Sequence, residues 1–254
     1  MNDIFVYPLQ NSKEYKDIIN CINNNKGSLL INGLLAVQKP HIAYSMYRDL
    51  NRQTIFITNS DLEAKKVYDD LSFYMKDKVE YIGFQDILFY HLDAKDRSEE
   101  AKRLKVLLKL AKGENIILVT SIEAVMRKYI PKEILLENIY TYKIGDVINL
   151  EKLSETLVNL GYERVSKIEG FGQFSIRGGI VDIFSLEYNN PIRMELFDDE
   201  IDSIRTFDVF SQKSIDKIKK VVITPSREFI YPEDTTSAVE KIKSETNKYT
   251  DDDV

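Results

Sequence analysis

A glycine and a lysine at phosphate-loop spacing are the first candidates for chemistry. Gly33 is followed by four residues and then by Gln38-Lys39-Pro40. A nucleotide-binding loop needs G-x-x-x-x-G-K-[ST], with glycines for the tight turn and a hydroxyl for Mg²⁺. Gly33 and Lys39 meet that pattern. Gln38 stands where the second glycine lets backbone N–H groups close around phosphate. Pro40 stands where the hydroxyl belongs and has none. No acidic pair at a strand end is available to hold a metal. The segment therefore reads as a turn that has lost its ligand, and we expect no cofactor. Other candidates read as ordinary structure. His41 and His91 are expected as capping or surface residues, and Cys21 as a small core residue. One cysteine excludes a disulfide framework and a Cys-based zinc site, and two histidines argue against a His-rich metal centre. Asp198-Asp199-Glu200 reads as turn chemistry, not a metal site.

A second constellation lies on strand-patterned sequence. In IRMELF (192–197), Ile192, Met194 and Leu196 share one face, and Arg193, Glu195 and Phe197 the other. In FSIR (174–177), Phe174 and Ile176 point one way, Ser175 and Arg177 the other. If the apolar rows form the core, the opposite rows present Arg177, Arg193, Glu195 and Phe197 to solvent. An aromatic beside arginines is the composition of a protein-binding hot spot. Over 138–225 the chain has 11 basic and 14 acidic residues, so there is no general basic patch. Two arginines there suit an acidic pocket on a protein better than a nucleic-acid backbone.

These residues need elements to position them. LLIN (29–32), TIFITN (54–59), VEYI (79–82) and IILVTS (116–121) read as strands buried on both faces. Helices lie between them. Ser60 and Glu63 form a capping box for one running to Tyr74. A second spans about 98–112, with Gly113 past its end. A third starts near Ser121 and ends before Pro131. Alternating strands and helices predict βαβ units and a parallel sheet. After Pro131 the pattern changes. IYTY (139–142) reads as a strand, and Asn149 caps a helix that turns Leu150, Leu153, Leu157 and Leu160 inward and ends at Gly161. From Phe171 a period of two, broken at Gly178-Gly179, Asn189-Asn190 and Asp198-Asp199, predicts an antiparallel meander up to Pro225. VEKIKSETNKY (239–249) reads as a helix, cut off in a way that suggests part of a longer chain.

Composition narrows the class. The 254 residues are 43% hydrophobic and 30% charged, which excludes wholesale disorder. No uncharged apolar run reaches membrane-spanning length, and the first residues do not form a signal peptide. A cytoplasmic protein without membrane contact is expected. The net charge of −6 argues for little DNA binding.

The meander also carries a recognisable signature. FGQFSIRGGIVDIFSL, followed by NPIRMELFDDEIDSIRTFDVFSQKSI, resembles the pattern shared by the bacterial transcription-repair coupling factors (Mfd) and the excision-repair protein UvrB. Ser185 departs from the family's usual proline and Leu196 from its frequent phenylalanine. TSIEAVMRKYIP resembles the family's exit into an inserted domain, and ITPSREF its return. UvrB keeps a working phosphate loop and Mfd a degenerate one, so Gly33, Gln38, Lys39 and Pro40 favour Mfd. The resemblance implies a degenerate RecA-like α/β domain (1–137), an inserted small α+β domain (138–225) with an antiparallel sheet, and a return to the first domain (226–254). It implies a non-catalytic module that docks UvrA through Arg177, Arg193 and Phe197 to recruit excision repair to stalled RNA polymerase. ATP and Mg²⁺ would serve only the motor of the full protein, and the remaining domains of the same polypeptide would be further partners. The alternative is an ATP-dependent DNA-handling enzyme like UvrB.

Overall fold

A computed structural model describes residues 4–24, 27–84, 93–230, 239–240 and 243–244. It divides into two compact units, 1–92 with 106–129, and 93–105 with 130–254.

The first unit opens with α1 (Tyr7–Gln10) and α2 (Lys13–Asn23), the latter capped by Ser12, whose side chain accepts the Tyr15 N–H. Then follow α3 (Gln38–Leu50), β1 (Thr54–Thr58), α4 (Asp61–Tyr74) and β2 (Val79–Ile82). The last turns of helix α5 (Asp93–Ala111), whose first part belongs to the second unit, strand β3 (Ile117–Ser121) and the short α6 (Ile122–Val125) complete it. The strands form a parallel sheet in the order β1-β3-β2. β3 is central and buried along its whole length, as its apolar run requires. One core packs Tyr44, Ala64, Val67 and Leu71 against Ile117 and Val119. Another packs Val106 and Ala124 against Ile82 and Leu118. Ser60 caps α4 by accepting the Glu63 N–H at 3.3 Å, as its sequence position predicts.

Two expectations fail in this unit. Residues 29–32 are not a strand. An apolar run becomes a strand only when a sheet edge receives it, and Leu29 and Leu30 stay exposed, outside the β1-β3-β2 ladder. β1 is not buried on both faces, since Ile55 and Ile57 stay exposed. The helix after Ser121 ends before Pro131 as expected, at Val125. Ser121 does cap it, accepting the Ala124 N–H.

In the second unit, α7 (Lys132–Glu137) starts after Pro131, a helix unmarked by apolar periodicity. β4 (Tyr140–Lys143) pairs antiparallel with β11 (Lys220–Ile223). Between them lie α8 (Leu150–Asn159) and the short β5 (Glu163–Arg164). Then come β6 (Gln173–Arg177), β7 (Ile180–Ile183), β8 (Ile192–Phe197), β9 (Glu200–Phe207) and β10 (Ser214–Ile218). Strands β6 to β10 are the expected antiparallel meander, continued by one strand, and β5 joins β6 in parallel. Asn149 caps α8 by accepting the Lys152 N–H at 2.9 Å. Leu153, Leu157 and Leu160 pack on Phe174, Val181, Ile192, Met194 and Ile204. The apolar rows of the meander are thus the core side of the sheet. At the return from the sheet, the Glu228 N–H donates to Glu100, and the Glu228 carboxylate accepts from Arg103.

The architecture is α/β, with a small parallel sheet and antiparallel sheets. Among the described residues no helix is long and apolar enough to cross a membrane. His91 and most of 239–254 lie outside the described residues.

Candidate functional site

The site starts from a single carboxylate. Asp182 lies in the middle of β7, and the strand register sets Arg193 of β8 directly opposite it. Ser175 of β6 is its partner on the other side. Asp182 is buried, with only 3% of its side chain exposed. A buried carboxylate must be paired, because stripping it of water without compensation costs several kcal/mol, about the stability of a whole domain. Two arginines do the pairing. Arg193 grips it as a fork, Nε donating to Oδ1 at 2.6 Å and Nη2 to Oδ2 at 2.9 Å. Arg177, at the end of β6, donates from Nη2 to Oδ2 at 2.9 Å.

Arg193 has further partners. Nη2 also donates to Gln212 Oε1 at 3.1 Å, and the guanidinium lies 4.4 Å from the centre of the Phe207 ring. The hydrogen bonds to Asp182 hold Arg193 charged and push its pKa above the ordinary arginine value, against the opposing pull of burial. Arg205 of β9 faces Arg193 across the ladder. Like charges directly opposite are unfavourable. The conflict is relieved because Arg205 turns to Glu195 while Arg193 turns to Asp182. Ser203 adds a hydrogen bond to Glu195 at 3.0 Å.

The arrangement corrects one expectation. The sequence placed Arg177, Arg193, Glu195 and Phe197 together on a solvent face. Arg177 is open, with 52% of its side chain exposed, and Phe197 is 82% exposed at the end of β8. Arg193 keeps only 15% of its side chain exposed. The cause is Asp182: leaving that carboxylate unpaired would cost more than folding the arginine inward. The structure therefore brings Arg177 and Arg193 together on Asp182. Among the described residues, no ring or cation–π contact joins Phe197 to that pair. Asp182 and Gln212 escape a reading based on exposed faces. The alternation of IVDIF did carry a signal, since it sets an acid at a mid-strand position opposite Arg193.

Phe197 is held by its hairpin. The two-residue turn Asp198-Asp199 closes the pair Phe197↔Glu200, with Asp198 at φ +59°. Asp tolerates this left-handed position, and two such residues suit a tight hairpin. The acids there thus serve a turn. Among the described residues, no group of three His, Cys, Asp or Glu side chains could hold a metal. The loop from Asp208 to Lys213 is also ordered by its own bonds. Asp208 accepts from the Ser211 N–H and hydroxyl, and these bonds hold its carboxyl below the usual carboxylate range. It presents Phe210, which is 90% exposed.

The former phosphate-loop candidate is a different place. Gly33 adopts φ +84°, and α3 begins at Gln38. The Gln38 side chain accepts the Leu35 N–H at 2.9 Å. A backbone donor that a phosphate would use is therefore already taken. Lys39 is exposed, and Pro40 is buried in the first turn of α3. His41 makes a 2.6 Å hydrogen bond between Nε2 and the Phe5 carbonyl and stacks on Tyr74. Cys21 is a free, half-buried thiol.

One helix backs an antiparallel sheet whose hairpin ends leave Arg177 and Phe197 open to solvent. Residues 141–229 match the UvrB interaction domain family. Over 238 residues the chain is 33% identical to the transcription-repair-coupling factor of Bacillus subtilis (strain 168), covering 93% of this chain and 20% of that protein. It is 33% identical over 213 residues to the transcription-repair-coupling factor of Staphylococcus aureus (strain USA300), covering 84% and 18%. The relative of the same name from Staphylococcus epidermidis (strain ATCC 35984) is 32% identical over 222 residues. The chain carries a UvrB interaction domain and is homologous, over most of its length, to transcription-repair-coupling factors. It spans about a fifth of the length of these curated relatives.

Proposed function

We propose that this chain is a non-catalytic module that docks UvrA, the damage-recognition ATPase, and so links excision repair to stalled transcription. The observation that carries this reading is the UvrB interaction domain at 141–229, with Arg177 and Phe197 exposed on it. Arg177, Arg193 and Phe197 are the docking residues. Arg177 keeps guanidinium donors free for a carboxylate, Arg193 spends its fork on Asp182 and adds its charge from behind, and Phe197 offers an apolar contact otherwise left in water. In this reading the rest of the longer polypeptide holds the motor, with its ATP and Mg²⁺. The first unit is a RecA-like domain that has lost its nucleotide. Its parallel sheet, and a Gln38 side chain sitting on the Leu35 amide, support that assignment.

The test is direct. Immobilised chain should capture purified UvrA, and Arg177→Ala or Phe197→Ala should each weaken capture by roughly 30-fold, the scale of a hot-spot truncation of about 2 kcal/mol. Neither change should alter the melting temperature. UvrA binding that ignores both substitutions would refute the assignment of the face. A fluorescent ATP analogue with Mg²⁺ should not bind. Saturable binding, or tight binding of duplex DNA at physiological salt, would favour the enzyme alternative.

A further inference from the structure

We propose that Asp182 is the positioning residue of the docking face: it touches no partner itself and holds Arg177 in the orientation that UvrA meets. The inference rests on the UvrA-docking reading and assigns a role to a residue outside the docking trio. Asp182 is buried between the two arginines and accepts all three of their hydrogen bonds that run inward along the sheet. Arg193 is fixed from three sides, by Asp182, Gln212 and the Phe207 ring, and fixes the carboxylate in turn. Arg177 has no such cage. Its one hydrogen bond to a side chain goes to Asp182 Oδ2 through a single nitrogen, Nη2. Its Nε and Nη1 make no hydrogen bond among the described residues, and half of the side chain is open.

Two physical consequences follow from that geometry. A tethered arginine loses less side-chain entropy on binding than a free one, and one two-donor edge of its rigid plane, made by the second Nη2 hydrogen with a neighbouring nitrogen, stays free. Two guanidinium charges share one carboxylate, so the cluster keeps a net positive charge for an acidic partner. The ligand chemistry that fits the open edge of Arg177 is a carboxylate on the UvrA surface, taken by two parallel N–H donors. In the bound state Asp182 and that carboxylate would lie on different edges of one guanidinium.

The experiment is a double-mutant cycle read by UvrA affinity. In the otherwise unchanged chain, Arg177→Ala should weaken binding by roughly 30-fold. Asp182→Asn alone should weaken it by about tenfold, and adding Arg177→Ala to it should cost less than about threefold more, because contacting residues couple. A merely structural Asp182 would lower the melting temperature and leave the Arg177→Ala factor unchanged. An equal factor in both backgrounds therefore overturns the proposal. Asp182→Asn alone can fail to fold, since it leaves Arg193 half-buried without its charge partner. The background is then Asp182→Asn with Arg193→Gln, which removes both charges together, and the same comparison applies. If the unchanged chain does not bind UvrA, or binds regardless of Arg177, the docking reading itself is wrong. If Arg177 matters and Asp182 does not modulate it, only the present proposal is.

Discussion

At the scale of single residues, Arg193 behaves differently from its neighbours. An exposed arginine contributes little to stability, so Arg177→Ala should leave the melting temperature unchanged. Arg193 is engaged with a buried carboxylate, Gln212 and Phe207. Removing it leaves Asp182 with one hydrogen bond and uncovers the Phe207 ring. Arg193→Ala should cost about 1–3 kcal/mol of stability, the penalty for stranding a buried polar group. The midpoint of urea unfolding, compared with that of Arg177→Ala, checks this. Equal midpoints would mean that Arg193 carries none of the fold. The types of these residues are readable in the chain, but the exposure of each is not. Strand parity puts Arg177 and Arg193 on one side of the sheet. It says nothing of a buried Asp182 that draws one of them inward.

At the scale of elements, the clearest signals are caps and stops, because they act within a few residues. Ser60, Ser121 and Asn149 each accept the backbone N–H three residues on, the bond that their positions predict. Asn149→Ala should cost about 1 kcal/mol, since α8 loses the acceptor for one terminal N–H. Gly161 ends the same helix at φ +85°. A Cβ there would come within 2.8 Å of the Arg227 side chain. Gly161→Ala should therefore cost about 1–2 kcal/mol for the left-handed backbone. Urea titrations of both variants test this, and a Gly161→Ala protein as stable as the parent would show that the turn relaxes. Where local signals fail, the reason is non-local. LLIN has the composition of a strand and no sheet edge that receives it. β11 forms only because β4, far away in the chain, offers one.

At the scale of the whole molecule, several tyrosines are held neutral. Tyr162 is buried and donates its hydroxyl to the Thr224 carbonyl at 2.8 Å. Burial pushes its phenol well above the usual tyrosine range. Burial does the same to Tyr15 and Tyr81, with help from Asp49 and Asp61 respectively. A phenol whose folded pKa is raised contributes stability that is fully present below its unfolded pKa of about 10. That contribution is lost as the pH rises further. Urea midpoints should be insensitive to these groups up to about pH 10 and fall steeply above it. The tyrosinate absorbance of the native protein should lag behind that of the unfolded chain. Ionisation of all the tyrosines together near pH 10 without unfolding would contradict it. The sequence by itself determined the alternation of strands and helices from 54 to 121, the caps, the antiparallel meander with its apolar core face and the departure of Gln38 and Pro40 from a phosphate-loop pattern. These rest on period, turn residues and single substitutions, all of which act over short stretches of chain. Only the tertiary structure decided which arginine is open and which is tied down, that Asp182 joins them, and that LLIN stays unpaired. Those outcomes depend on the cost of burying charge and on the presence of a partner edge, and both are set by residues distant in the chain.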